Sequence, residues 1–160
     1  LFGTLIALLH EGRPVVGVID MPALNERWVG VAGQETLYNS QPVRVRSCSG
    51  LEGAWLYATS PQMFQGADAS AFERLRTNCY AAVYGADCYA YGLLSCGWVD
   101  LVCEASRQAY DYCALVPVIE GAGGVITDWQ GKPLGLGSDG RVLAAGDPAL
   151  HAAAQRALAG

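Results

Sequence analysis

Short apolar runs separated by turn residues dominate the first third of the chain. The EGRP segment between the first two runs predicts a β-hairpin, because Gly12 can take a positive φ and the proline that follows restarts an extended chain. Further β-rich runs that end near Val31, Tyr38 and Arg46 predict more strands. We therefore expect residues 1–50 to form an antiparallel meander.

Beyond residue 50, the pattern predicts strands that alternate with helices. In chain order it predicts a strand over 54–61, a helix over 67–83, a helix over 87–97, a strand over 98–105, a helix over 110–123, strands over 124–129 and 141–146, and a helix over 147–159. Asp147 is expected to cap the last helix, with Pro148 at its first position. The expected fold class is layered α/β, with the meander of residues 1–50 followed by an α/β domain over 51–160 that carries the substrate and metal residues.

Two glycine-rich segments are predicted to be a helix C-cap and an ordinary loop, and not phosphate-binding loops. GAGG at 121–124 follows a predicted helix, so it is expected to be a C-cap in which Gly121 or Gly123 takes the positive φ. GLGSDG at 135–140 precedes a strand, which is the reverse of the strand-to-helix context of a phosphate-binding loop.

Length and composition are those of one globular domain. The chain has 160 residues, of which 52% are hydrophobic and 16% are charged, and this is enough to build a core. Fifteen acidic and ten basic residues give a formal net charge of −5, and the basic residues are scattered, so no nucleic-acid partner is expected. The first apolar stretch is too short to span a bilayer and has no basic leader, so no membrane partner is expected either.

Cysteine and histidine, two residue types common in catalytic sites, show no catalytic spacing here. The six cysteines contain no C-x-x-C pair, which argues against a zinc site or a thioredoxin-type motif. They are expected to be reduced core thiols, which suits a cytoplasmic location. His10 beside a turn and His151 on the polar face of the last helix have no Ser, Cys or Asp at a diagnostic spacing, so no nucleophile–base pair is predicted.

Three carboxylates lie at the edges of predicted elements, where the ligand sites of α/β folds collect. Asp87 opens a helix, Glu104 ends a strand and Asp111 opens the helix that follows. Carboxylates are the ligands of hard cations, and these three are predicted to share one cleft. The structural alternatives are helix N-caps for Asp87 and Asp111, and a solvated strand end for Glu104.

The segment YDYCALVPVIEGAGG, residues 110–124, resembles the C-terminal signature of the inositol monophosphatase family. In that signature an aspartate starts an apolar helix, which ends in a glutamate and a glycine-rich turn. The likeness continues through GVIDMPALNERWVGVAGQETLYNSQPVRV and RVLAAGDPALHAAAQRAL, and so covers practically the whole chain. Within the family, YATSPQMF and YGADCYAYGLLSCGWVDLVCEA look most like the histidinol-phosphatase branch, which removes phosphate from histidinol phosphate in histidine biosynthesis.

This resemblance implies the C-terminal part of an α-β-α-β-α sandwich and a Mg²⁺-dependent phosphomonoesterase that acts on a small phosphorylated metabolite without a covalent intermediate. Asp111 matches the family's late metal-binding aspartate, and Glu104 matches the glutamate that reaches a substrate hydroxyl. Asp87 falls at the non-phosphate end of the pocket, where a carboxylate would suit the ammonium group of histidinol. Inositol phosphate and other sugar phosphates are the alternative substrates, and a homodimer is expected because family members are commonly dimers.

The chain departs from the family pattern in its metal ligands. The resemblance places a Glu-Glu pair and an Asp-Pro-(Ile/Leu)-Asp-Gly-Thr motif upstream of Leu1, and neither occurs in this sequence. Asp111 alone cannot hold Mg²⁺, which needs an octahedral set of ligands. Because Leu1 also lies within a strand pattern, we expect a C-terminal fragment that is inactive alone. The alternative is a non-catalytic binding domain that keeps the fold.

Overall fold

Two five-stranded sheets organise the structure, a computed structural model that describes residues 2–160. The first sheet contains β1 (Thr4–His10), β2 (Arg13–Met21), β3 (Glu26–Val31), β4 (Leu37–Tyr38) and β5 (Gln41–Pro42). Each strand pairs antiparallel with the next, so the predicted meander is confirmed, but its last strand ends at Pro42 and the strand predicted to end near Arg46 is wrong. Glu11 and Gly12 join β1 to β2 with φ values of 50° and 77°, the positive pair that a two-residue hairpin turn requires.

The second sheet is mixed and lies among five helices. Its strands are β6 (Trp55–Ala58), β7 (Ala81–Tyr84), β8 (Leu101–Glu104), β9 (Val125–Thr127) and β10 (Val142–Ala145). The helices are α1 (Ala67–Asn78), α2 (Tyr89–Ser95), α3 (Ala109–Tyr112), α4 (Leu115–Gly121) and α5 (Pro148–Ala159). The order is β7-β6-β8-β10-β9, with β6 parallel to β7 and β8 and the remaining pairs antiparallel. Among residues 2–160, no helix has the length and apolar character needed to cross a membrane.

The elements stack in layers around two cores. The first core lies between the sheets and joins Ile19 and Trp28 of the meander to Leu94 of α2 and Val118 of α4. The second core lies between the second sheet and the pair α1 and α5. This arrangement confirms the layered α/β class. The division of the chain into portions 1–50 and 51–160 stays a prediction.

The predicted helix over 67–83 is wrong at its end. Helix α1 stops at Asn78, and Ala81–Tyr84 forms the edge strand β7. Tyr80 N–H donates to Ala54 O at 3.1 Å, which starts the parallel pairing with β6. Two alanines in this four-residue strand carry little local pattern, so pairing with β6 decides its conformation.

The predicted helix over 110–123 is divided into α3 and α4. Pro117 has no N–H to donate to the carbonyl four residues earlier, so the hydrogen-bond ladder is interrupted where the two helices meet. The predicted C-cap is confirmed at Gly123, which has φ 88°. Gly124 N–H donates to Ile119 O at 3.0 Å, as in a Schellman motif.

The last helix begins as predicted, but it buries His151, which the sequence pattern places on its polar face. Ala149 N–H donates to Asp147 Oδ1 at 2.8 Å, with Pro148 at the first position, so the N-cap is confirmed. His151 is only 5% exposed, and the polar-face prediction is wrong. Its Nε2 lies 3.0 Å from Thr127 Oγ1, and burial lowers the pKa of His151.

All six cysteines carry free thiols. Cys103 and Cys113 are buried and the other four are half-buried, so the expectation of core thiols holds in full for two of them. Burial raises the pKa of the Cys79 thiol to about 11, which keeps it protonated and unreactive near neutral pH. The cytoplasmic location stays a prediction.

Two glycines let the helices between the two sheets, which form the middle layer, approach the first sheet very closely. Gly17 of β2 and Gly30 of β3 are cross-strand partners. A Cβ on Gly17 would clash with the backbone carbonyl of Ala114, and one on Gly30 would clash with the backbone of Pro117. Any larger side chain at either position must push the α3–α4 segment away from the sheet.

We therefore expect Gly17→Val to lower the free energy of unfolding by roughly 3 kcal/mol or more, because the obstacle is backbone that cannot repack. Urea unfolding of wild type and variant measures the loss. Gly137→Ala is the matched control, since nothing lies within 4 Å of a Cβ there, and it should change stability little. Equal stability of Gly17→Val and wild type would contradict the close approach.

An ion pair between the half-exposed Arg46 and the buried Asp100 connects the meander's exit to the second sheet. Arg46 Nε and Nη2 donate to the two carboxylate oxygens of Asp100 at 2.6 and 2.7 Å. Asp100 is 1% exposed and also accepts from Trp55 N–H at 2.9 Å. Burial by itself would raise the pKa of Asp100, but the hydrogen bonds from Arg46 and Trp55 outweigh it, so the net shift is downward.

Arg46→Met is expected to lower the free energy of unfolding near pH 7 by about 3 kcal/mol, because it leaves the Asp100 charge buried without its partner. The lower end of the usual range applies, since Arg46 is partly exposed to water. The native pair contributes fully above the unfolded-state pKa of about 3.9, and that contribution is lost as pH falls through the lower folded-state pKa.

Urea unfolding at about pH 7 and about pH 3 should therefore show a difference between Arg46→Met and wild type that shrinks in acid. Arg44→Met provides the control, because Arg44 forms an exposed pair with Glu35 that is worth about 0.5 kcal/mol. A difference that is the same at both pH values would argue against the pair.

Candidate functional site

The carboxyl ends of the three parallel strands β6, β7 and β8 lie on the same side of the second sheet, and polar residues are found there. Thr59 follows β6, Asp87 comes shortly after β7, and Glu104 is the last residue of β8. Parallel neighbours end at the same edge, which is where ligand sites of such sheets form. Asp87, Glu104 and Asp111 all line a single cavity of about 270 Å³, so the structure does bring the three predicted carboxylates into one cleft.

Glu104 is a buried, hydrogen-bonded carboxylate. It is 4% exposed, so the alternative of a solvated strand end is wrong. Its Oε2 accepts from the Tyr91 hydroxyl at 2.9 Å, and its Oε1 accepts from Thr59 N–H at 3.2 Å and contacts the Thr59 hydroxyl. Burial raises the pKa of Glu104, although the charge of Arg107 and the hydrogen bonds from Thr59 and Tyr91 act in the opposite direction.

Asp87 does not cap α2. The helix begins at Tyr89, and no side chain caps its first turn. Asp87 instead has φ 47°, a left-handed conformation that Asp tolerates better than most residues. Its exposed carboxylate faces Thr59, with Oδ1 3.0 Å from the Thr59 hydroxyl oxygen. The capping alternative for Asp87 is therefore wrong.

Asp111 is not the N-cap of its helix but lies three positions after it, so the N-cap alternative is wrong for Asp111 as well. The cap residue of α3 is Gln108, and Asp111 reaches back so that its Oδ2 accepts from Gln108 N–H at 2.9 Å. This half of a capping box orients the carboxylate from the first helical turn. Within residues 2–160 its other oxygen, Oδ1, accepts no protein hydrogen bond, so it remains available to a ligand.

Three side chains that contact the carboxylates of the cavity, Thr59, Tyr91 and Arg107, were not predicted from the sequence. Thr59 could have been predicted by the reasoning that identified Glu104, because it also lies at the end of a strand, immediately after β6. Tyr91 and Arg107 lack such a signal, because their roles depend on where α2 and the β8–α3 loop meet. Arg107 Nε lies 3.3 Å from Glu104 Oε2 but without the alignment of a hydrogen bond, so the two form a charge pair only.

The described part of the chain contains no complete set of metal ligands. Among residues 2–160, no group of three or more His, Cys, Asp or Glu side chains could hold a metal ion. Asp111 fits as one oxygen ligand, whereas Mg²⁺ demands six in near-octahedral geometry. Asp87 and Glu104 both contact the Thr59 hydroxyl, so these two carboxylates lie next to each other in the cavity.

The family follows from a match over nearly the whole chain. The sequence model of the inositol monophosphatase family matches residues 1–159. The chain belongs to the inositol monophosphatase family. The likeness drawn from residues 110–124 is thus confirmed.

The curated relatives of this chain include a bifunctional phosphatase and histidinol-phosphatases. The chloroplastic bifunctional phosphatase IMPL2 of Arabidopsis thaliana is 48% identical over 164 aligned positions, which cover 98% of this chain and 47% of the relative. A histidinol-phosphatase of Mycobacterium tuberculosis is 32% identical and is matched over 81% of this chain and 52% of its own length. The chain therefore spans about half the length of the curated relatives it matches.

Solved structures of the family confirm the fold. An inositol monophosphatase from Zymomonas mobilis superposes with a TM-score of 0.97 at 47% identity, covering 99% of this chain and 62% of that protein. An inositol monophosphatase from Anabaena gives a TM-score of 0.86 at 29% identity, covering 99% of this chain and 64% of that protein. The layered architecture is thus that of this family.

Proposed function

We propose that this chain carries the substrate-recognition half of a Mg²⁺-dependent phosphomonoesterase whose substrate is histidinol phosphate. The observation that carries the proposal is one small cavity that joins Asp111, the metal-binding position of the family resemblance, to the carboxylates of Asp87 and Glu104. The histidinol-phosphatases among the relatives support the choice of substrate.

Asp111 would hold the cation through the oxygen that the helix leaves without a hydrogen bond. The chemistry that Mg²⁺ supplies in such a site is neutralisation of phosphate charge and activation of a water molecule. The remaining ligands would come from residues outside this sequence, since one carboxylate cannot complete the coordination. By this proposal, the 160 residues alone have no phosphatase activity.

Charge in the cavity favours a cationic organic group. Three carboxylates and one guanidinium line it, so its formal charge is negative before any metal binds. A phosphate would be repelled without a cation at Asp111, whereas an ammonium or imidazolium group near Asp87 would be attracted. Histidinol phosphate combines the two charges, with its phosphate for the metal and its nitrogen groups for Asp87.

Inositol phosphate is the second candidate, and Glu104 favours it. This buried carboxylate has the position from which, by the family resemblance, a substrate hydroxyl is reached, and a solved relative from Zymomonas mobilis is an inositol monophosphatase. A polyol would use Glu104 and leave the Asp87 charge unpaired.

A non-catalytic binding domain would retain this cavity but hydrolyse neither phosphate. The homodimeric state and the histidine-biosynthetic role also stay predictions.

Asp111→Asn in the complete protein is expected to lower kcat/KM at least ~100-fold with Mg²⁺, because the neutral amide is a poor ligand for a hard cation. The helix should be unaffected, since the Asn side-chain oxygen can still accept from Gln108 N–H. Phosphate release from histidinol phosphate measures the effect. Glu52→Gln, an exposed acid remote from the cavity, is the control and should keep wild-type activity. Unchanged activity of Asp111→Asn would reject the metal role.

Asp87→Asn is expected to lower kcat/KM for histidinol phosphate roughly 10-fold and to leave inositol phosphate nearly unchanged, because only the cationic substrate uses the charge. Asn tolerates the left-handed φ of this position, so the backbone should be retained. Equal losses with both substrates would refute the ammonium role. A wild-type preference for inositol phosphate above tenfold, about 1.4 kcal/mol, would replace histidinol phosphate by the second candidate.

A further inference from the structure

The Thr59 hydroxyl lies between two carboxylates and has one proton to donate. Its oxygen is 3.0 Å from Asp87 Oδ1 on one side and in contact with Glu104 Oε1 on the other. A hydroxyl donates a single hydrogen bond, whereas an ionised carboxylate can only accept. Thr59 can therefore satisfy one of the two acids, and its lone pairs face the other.

The surroundings of Glu104 decide which acid receives the proton. Glu104 is buried, so its charged form needs donors, and it has them in the Tyr91 hydroxyl and Thr59 N–H, with Arg107 nearby. Asp87 is exposed and can be hydrated when the cavity holds no ligand. The hydroxyl proton is worth more to the buried carboxylate than to the hydrated one.

Other charged or titratable side chains around this pair reinforce that choice. The groups that face it from the packed elements are Cys88 and Tyr91 of the α2 region, and Arg107 and Asp111 after β8. Burial raises the pKa of Cys88 and Tyr91, so both are neutral near pH 7. Arg107 is thus the cation closest to Glu104, and it favours the ionised carboxylate.

We propose that Thr59 determines specificity at the non-phosphate end of the cavity, where Asp87 and Glu104 lie. Its proton is committed to Glu104, so its oxygen and the neighbouring Asp87 carboxylate offer a ligand two adjacent acceptors and no donor. A protonated nitrogen can donate to both acceptors and also neutralise the Asp87 charge, whereas one neutral hydroxyl can donate only once. The inference rests on the proposed function for the identity of the substrate, but the direction of the Thr59 hydrogen bond does not.

A carboxyl titration tests that direction without any enzymatic activity. In Thr59→Val the carboxylate of Glu104 loses a donor, so its pKa should rise by about one unit in side-chain ¹³C NMR of the 160-residue chain. Thr59→Ser keeps the hydroxyl and should restore the wild-type value. A fall of the Glu104 pKa in Thr59→Val would overturn the proposal, because it would mean that Glu104 donates to Thr59. If Thr59→Val does not fold, Tyr91→Phe and Asp87→Asn replace it.

These two variants give opposite expectations. Tyr91→Phe removes another donor and should raise the Glu104 pKa, whereas Asp87→Asn removes a neighbouring negative charge and should lower it. No change in Tyr91→Phe would contradict an ionised, donor-dependent Glu104.

Substrate choice is tested separately in the complete protein. Thr59→Val should reduce kcat/KM for histidinol phosphate about 5- to 10-fold more than for inositol phosphate, and Thr59→Ser should behave like wild type. Equal losses for the two substrates would overturn the specificity role even where the titration agrees. Absence of activity in the wild type would refute the phosphatase proposal, while the titration would still report on the Thr59 hydrogen bond.

Discussion

Contact between α4 and the first sheet is the constraint on which the rest of the structure depends. Gly17 and Gly30 face each other across β2 and β3, and the chain around Ala114 and Pro117 lies directly on them. Because backbone meets backbone there, the distance between layers cannot adjust as a contact between flexible side chains could. The position of α4 also sets that of α3, which precedes it, and α3 carries Asp111.

The cavity depends on the same contact, because its residues come from both sheets and from α3 between them. The second sheet supplies Thr59 and Glu104 at strand ends, and α3 supplies Asp111 from the middle layer. Gly3 and Leu5 of the meander complete the wall. A shift of the middle layer would therefore separate Asp111 from Asp87 and Glu104, even with every local element intact.

The three acids of the cavity differ in their burial and in their hydrogen-bond donors. Burial and three donors make Glu104 a fixed acceptor, whereas Asp87 keeps an exposed charge that a ligand can neutralise. Asp111 is oriented by its own helix through the Gln108 N–H, which leaves its Oδ1 without a protein hydrogen bond within residues 2–160. Similar side chains thus acquire different chemistry because their surroundings differ in donors and in access to water.

The sequence by itself determined the features that depend on neighbours along the chain. The β1–β2 hairpin, the Asp147 cap and the Gly123 C-cap followed from local turn and capping chemistry, and the family followed from residues 110–124. The placement of Asp87, Glu104 and Asp111 in one cleft was predicted because element ends can be located from local patterns, and their roles stay predictions.

Tertiary structure alone decided the features that depend on distant partners. Strand β7 exists because it pairs with β6, and His151 is buried because the inner side of α5 packs on the second sheet. Tyr91 and Arg107 join the site because α2 and the β8–α3 loop converge on Glu104. These outcomes arise from hydrogen bonds and packing between segments far apart in sequence, and local propensity carries no record of them.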